Sequence, residues 1–328
     1  MAEQWTTDIL GAPFESLALP LGDDDEGPVV ATIVRSLPSF TARMTQPLRD
    51  VDVLYVHGWS DYFFQAELAR FWNHLGARFH ALDLRKYGRS LRTGQTPGYI
   101  NNLDEYGADI GAALAVMGHA PGAQSGRRLV LMGHSTGGLT LTLWAARHPG
   151  RAAALVLNSP WLELQLGAIG RQAIAPLVQV RARVDPLGSQ PVVDLGFYTR
   201  AQTELGSLPA DPPRAQWRPD RGFPTHPGWL AAILDGHRRV ASGLEVGCPA
   251  LVMLAERSSN PMVWSQDMTS TDSVLVVDDI AKAATRIGKR VSVERINGGI
   301  HDLFLSSAVP RAEAYAALQR WLTRGALR

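Results

Sequence analysis

One serine set between two glycines, in Gly133-His134-Ser135-Thr136-Gly137, is where residue type and spacing in this chain point most directly to chemistry. A G-x-S-x-G run between a strand and a helix holds its serine on a sharp turn with the hydroxyl outward, poised as a nucleophile. Side chains two residues before and two after the serine would collide in so tight a turn, and glycine removes them. The helix that follows aims N–H groups at the same spot, where developing negative charge is stabilised. The same pentapeptide also suits an ordinary glycine-rich turn in which Ser135 only caps a helix. A base and an acid further along, in the order serine, acid, histidine, decide between the two.

Among nine histidines, His301 in "RINGGIHDLFLSS" alone lies in a small-residue loop beyond an apolar strand near the C-terminus. It is the expected base. His74, His80, His119, His148, His226 and His237 read as surface or packing residues, and His134 as a neighbour that packs or orients the turn. The acid is less direct. The slot after "PALVML" holds "ERSSN", and the carboxylates come later, in "SQDMTSTDSVLVVDDI". Asp272 is the first choice, because "TDSVL" couples the carboxylate to an apolar stretch that can anchor it. Asp278 stands second, Asp267 and Asp279 follow, and Glu256 lies too close to the strand end. The oxyanion donors are expected to be the N–H of Thr136 and that of Trp59, in "HGWSD" after "VLYV". The alternative for His57-Gly58 is a simple turn.

These residues need a scaffold that brings distant loops to one edge. Apolar strands alternate with helical segments, the pattern of an α/β fold with a mostly parallel central sheet flanked by helices. "VVATIVRSL" (Val29 to Leu37), "VDVLYV", "FHALDL", "RLVLM", "AALVLNSP", "PALVMLAE" and "VSVERI" are the expected strands. A helix is expected at Gln65 to Leu75, and "RAEAYAALQRWLTR" reads as a C-terminal helix. From about Trp161 to Leu244 the rhythm breaks, with many Pro, Arg and Trp residues and no strong strand. A structureless loop of that length is improbable in a compact domain, so 161–244 reads as a helical cap inserted into a core made of 1–160 and 245–328. Its Trp161, Phe197, Trp217, Phe223 and Trp229 are candidates for an apolar, substrate-binding wall, the alternative for each being plain packing within the cap.

Bulk properties exclude several classes. A net charge of +1 over 328 residues favours no polyanionic partner such as nucleic acid. A single cysteine, Cys248, excludes an intrachain disulfide, fits a reducing compartment and, just before a strand, reads as buried packing. The acidic start lacks the basic and apolar segments of a signal peptide, and no apolar run approaches the length of a membrane span. A cytoplasmic protein with no integral membrane association is the expectation. No H-E-x-x-H, paired C-x-x-C or G-x-x-x-x-G-K occurs, and the chemistry outlined requires no metal or cofactor.

The ordered set "YVHGWSDYF", "ALDLRKYGRSLR", "LMGHSTGGLTLTLWAARHP", "LVLNSPWLEL", "TDSVLVV" and "GGIHDL" resembles the α/β-hydrolase superfamily. Within it the chain looks most like the monoacylglycerol lipase and lysophospholipase group, also placed with the serine-aminopeptidase-like hydrolases. The resemblance implies Ser135 as nucleophile, Asp272 as acid, His301 as base, and Trp59 and Thr136 as oxyanion donors. It implies a serine hydrolase that cleaves carboxylic esters through an acyl-enzyme, acting on a small, possibly lipid-like ester. Thr136 stands where lipase members usually carry Met, "HGWSDYF" replaces their "HGxxEH", and residues 256–271 are interposed before Asp272. Lactonase, peptidase, carbon–carbon bond hydrolase and acyltransferase chemistry run on the same triad, and a hydrolase-like ligand receptor is the non-enzymatic alternative.

Overall fold

The computed structural model describes residues 4–123, 125–165, 167–188, 194–209 and 214–327. Among the described residues, nine strands form one sheet: β1 (Thr6–Thr7), β2 (Glu15–Asp24), β3 (Gly27–Ser36), β4 (Val51–Val56), β5 (Arg78–Asp83), β6 (Arg128–His134), β7 (Ala154–Asn158), β8 (Ala250–Ala255) and β9 (Val291–Ile296). Their spatial order is β1-β2-β3-β5-β4-β6-β7-β8-β9. From β5 to β9 all neighbours are parallel, while the first three strands add an antiparallel edge. Runs such as "VDVLYV" in β4 and "ALVMLA" in β8 are buried at every position, which a strand covered on both faces requires.

Helices supply the cover. The first four are α1 (Phe40–Thr45), α2 (Ala66–His74), α3 (Tyr106–Val116) and α4 (Thr136–Arg147). Between β7 and β8 come α5 (Gly167–Val184), α6 (Phe197–Glu204), α7 (Arg214–Trp217) and α8 (Pro227–Ala241), followed later by α9 (Val277–Ala284) and α10 (Ala308–Trp321). Alternation along β4 sends Val53 and Tyr55 to one face, where Leu68 and Trp72 of α2 and Leu318 of α10 pack. Leu54 and Val56 face the other way, toward Ile110 of α3, Leu139 of α4 and Ile280 of α9.

The strand and helix expectations hold with small shifts of boundary, and the structure adds elements. Strand β2 runs through the acidic N-terminal stretch, where no strand is expected from the sequence. Its Leu17 and Leu19 alternate inward, and Leu17 pairs opposite Ile33. Pro20 is tolerated because β2 lies near the antiparallel edge. Helix α9 occupies the apolar stretch after Asp272, its first-turn Asp278 and Asp279 suited to the helix N-terminus.

Strand order also decides which loops meet. The chain crosses from β5 on one side of β4 to β6 on the other, so the loops leaving β4 and β6 emerge side by side at the carboxyl edge. Val56 pairs with Gly133, His134 with Asn158, and Ala255 with Ile296. Segments following β4, β6, β7, β8 and β9 therefore share one edge of the sheet.

Candidate active site

Ser135 sits between β6 and α4 with φ 51° and ψ −117°, a left-handed conformation rarely adopted by a side-chain-bearing residue. The surroundings over-determine it. Its N–H donates to the Asn158 carbonyl at 3.1 Å, and its own carbonyl accepts from Trp161 N–H at 3.0 Å and Leu139 N–H at 3.2 Å. A Cβ on Gly133 would lie 2.7 Å from the Gly137 carbonyl oxygen, and one on Gly137 would run into the His57 carbonyl. Gly133 is thus required by the turn itself and Gly137 by the approach of the segment leaving β4. Thr136 opens α4, so the helix N-terminus faces the Ser135 side chain.

Beside the turn lies His57-Gly58-Trp59. Leu84 N–H donates to His57 Nε2 at 3.1 Å, which leaves the proton on Nδ1 to reach the Gly58 carbonyl at 2.7 Å. His57 is therefore a brace for this loop. Gly58 passes so near that a Cβ there would lie 3.1 Å from Ser135 Cβ.

Asp272 and His301 are brought together. His301 Nδ1 is 2.9 Å from Asp272 Oδ2, and the other carboxylate oxygen accepts the N–H groups of Val274 and Leu275 at 2.8 and 2.7 Å. Asp272 is fully buried, His301 is only 2% exposed and Ser135 7%. The residues interposed before Asp272 form an excursion that returns: Asp272 bridges Ser258, its N–H bonds to the Arg257 carbonyl, and Ser259 N–H bonds back to it. Asp272 thus regains the position beside the end of β8 that a shorter loop reaches directly. The other carboxylates point elsewhere. Asp278 pairs with Arg295, Asp279 approaches Lys282, and Asp267 and Glu256 are exposed.

The His301 ring lies 4.9 Å from that of His134, the neighbour of Ser135, and meets Tyr198 of α6 edge-on at 5.5 Å. Burial pushes His134 below the usual histidine range, against the pull of Asp302. Burial also pushes the Tyr198 hydroxyl well above its ordinary value. Around Trp59 the structure gathers three of the five aromatic candidates. Ring centroids are 3.8 Å apart for Trp59 and Trp229, 5.9 Å for Trp59 and Phe223, and 6.0 Å for Trp161 and Trp229. Phe197 and Trp217 are not brought there: Phe197 packs on Trp264 and Trp217 on Tyr62.

Several buried polar residues at this edge have no motif around them. Asp302 is held by Gln65 and Asn158, and Asp61 pairs with Arg218 at 3.0 Å, which also bonds Gln202. Burial pushes the Asp61 carboxyl up, against the opposing pull of Arg218. The only sequence signals were position: Asp302 follows His301, and Asn158 ends a strand.

The family model for serine aminopeptidase, S33 (Hydrolase_4) matches residues 49–307, and the chain belongs to this family of α/β-hydrolases. It is accordingly a serine hydrolase by class. No curated protein matches the chain in sequence. Among solved structures, a monoacylglycerol lipase from Paleococcus ferrophilus is similar with a TM-score of 0.61 at 19% identity, covering 88% of this chain and 98% of its own. A soluble variant of monoglyceride lipase from Saccharomyces cerevisiae, in complex with a substrate analog, gives 0.64 at 13% identity over 93% and 96%. A thermostable carboxyl esterase from Bacillus coagulans, in complex with glycerol, gives 0.63 at 14% identity over 96% and 99%. At these identities the likeness is one of fold.

Proposed function

We propose that this enzyme hydrolyses carboxylic esters through an acyl-enzyme formed on Ser135. The observation that carries the reading is the 2.9 Å bond from His301 Nδ1 to an Asp272 carboxylate fixed by two backbone N–H groups, at the sheet edge where Ser135 is held in strain. His301 Nε2 takes the Ser135 proton as Oγ attacks the ester carbonyl, while Asp272 orients the imidazole and stabilises its charged form. The N–H groups of Trp59 and Thr136 receive the oxyanion. The intermediate collapses, His301 returns the proton to the leaving alcohol, and a water activated by the same imidazole releases the acid.

The helices between β7 and β8 act as the cap over a core of 1–160 and 245–328. Trp161, Phe223 and Trp229, clustered on Trp59, support an apolar wall for the acyl half of the substrate. We therefore favour an ester of a lipid-like acyl chain, as in monoacylglycerols or lysophospholipids. No helix among the described residues is long and apolar enough to cross a membrane. A reducing cytoplasm is the compartment we favour, since the one cysteine is buried and unpaired.

Hydrolysis rates over p-nitrophenyl esters of increasing chain length, beside a monoacylglycerol and a lysophospholipid, test the reading. Medium or long chains are expected to react fastest. Reaction of short acyl chains alone would replace the lipase reading by a general carboxylesterase or lactonase. A panel in which only amides turn over would replace it by a peptidase.

A further inference from the structure

A second carboxylate is buried beside the proposed triad. Asp302, next in the chain after His301, is 1% exposed, and both of its oxygens face donors. Asn158 Nδ2 and the N–H of Phe304 donate to Oδ1 at 2.7 and 3.1 Å, and Gln65 Nε2 donates to Oδ2 at 2.5 Å. Among the described residues, its ion-pair contact is His134, whose Nε2 stands 3.9 Å away and whose burial favours the neutral ring. Amide dipoles therefore do most of the work of holding a buried charge, an arrangement that is costly unless every lone pair is met.

The partners come from segments that must stay in register for catalysis. Gln65 ends the segment that begins with the oxyanion loop. Asn158 ends β7, and its carbonyl takes the Ser135 N–H while its side-chain oxygen takes that of Leu303 at 3.3 Å. Tyr198 from the cap accepts the N–H of Asp302 at 3.1 Å and closes over the His301 ring. We propose that Asp302 is a positioning residue for the His301 base, tying its loop to the elbow, the oxyanion segment and the cap, and that its charge favours the imidazolium formed when Ser135 gives up its proton. The inference rests on the serine-hydrolase reading above. The titratable and charged groups around His301 are Asp272 at Nδ1, His134 and Tyr198 across its ring, Asp302 next in the chain, and, behind His134 and Tyr198, the Asp61–Arg218 pair. Burial keeps His134 and Tyr198 toward their neutral forms and Asp61 is paired with Arg218, so Asp302 is the carboxylate without a cationic partner left to act besides Asp272.

Asp302→Asn removes the charge at constant size. Gln65 Oε1 is buried without a partner, so rotating that amide lets it accept from the new side-chain N–H and preserves the hydrogen-bond set. The readout is the rate of fluorophosphonate labelling at Ser135 against pH, which requires no particular ester. The variant is expected to move the acidic midpoint down by about half to one pH unit and lower the plateau severalfold. Gln65→Met strips one donor but keeps the charge; its plateau is expected to fall with the midpoint unmoved or raised. A wild-type midpoint in Asp302→Asn overturns the proposal, as does a Gln65→Met midpoint that falls equally. Should Asp302→Asn fail to fold by circular dichroism, a wild-type plateau in Gln65→Met is decisive against it. A wild-type enzyme that does not label at Ser135 instead removes the hydrolase reading itself.

Discussion

Two clusters in this molecule contain a serine, a histidine and an aspartate, at opposite ends of the same sheet. At the carboxyl edge are Ser135, His301 and Asp272. Near the start of β4, Asp52 Oδ2 lies 2.9 Å from His119 Nε2, and Ser125 Oγ lies 3.3 Å from His119 Nδ1. Residue types and the 2.9 Å histidine–aspartate bond do not separate them. What differs is how far each group is already committed. Asp52 is buried yet saturated, with Arg78 at 2.6 and 2.7 Å and Arg127 at 2.8 Å. Ser125 is locked into a turn, donating to the Arg127 carbonyl and accepting its N–H at 3.1 Å each. Asp272, by contrast, spends one oxygen on backbone N–H groups and the other on His301. Ser135 is strained, flanked by glycines and set at a helix N-terminus. The far cluster is a staple between β4, β5 and the loop before β6. Strain and unspent hydrogen-bonding capacity mark a reactive site better than the presence of three residue types.

Mutation can break or sharpen this contrast. Ser135→Ala is expected to lower kcat by about 10⁴-fold or more, whereas Ser125→Ala leaves it unchanged; ester turnover by the two purified variants measures this. Comparable losses in both would erase the distinction. Asp272→Asn is expected to lower kcat by about 10⁴-fold with little change in Tm, by stranding His301 without its orienting carboxylate. Asp52→Ala should do the reverse. It keeps kcat but costs about 2–3 kcal/mol in urea unfolding, less than for a fully buried pair because Arg78 and Arg127 are partly exposed.

The smallest test concerns acid. His80, buried on β5 in the same half of the sheet as Asp52, is pushed down to about 4 by burial. Its unfolded-state value is near 6.5, so between these limits the unfolded chain binds the proton first. Stability is therefore full above about pH 6.5 and falls as pH drops toward 4, by up to about 3 kcal/mol from this group. Unfolding free energies across that range should show a shallower slope in His80→Leu, with fluorophosphonate labelling at pH 7.5 unaltered. An unchanged slope would show that His80 is not the group responsible.

Much of this was legible in the chain. The elbow is legible in its own residues, because Gly133 is required by the turn itself, while Gly137 is required by the close approach of the His57 carbonyl. That His301 and Asp272 would meet was readable from chain order and from the apolar stretch beside the carboxylate. Strand β2 was not, since Pro20 and the acidic turn hide its alternating leucines. Nor was the aromatic grouping: Trp161, Phe197, Trp217, Phe223 and Trp229 look alike in sequence, and only the packing of α6, α7 and α8 separates those on Trp59 from those elsewhere.

The sequence by itself determined the turn that presents Ser135 and the alternating pattern of a parallel sheet, because each depends on local sterics or periodicity. Tertiary structure alone decided that Asp272 returns beside β8, that Asp302 is clasped by Gln65 and Asn158, and that Asp52 is committed to Arg78 and Arg127. Those outcomes depend on hydrogen bonds between residues far apart in the chain, and no local pattern encodes which donor reaches which acceptor.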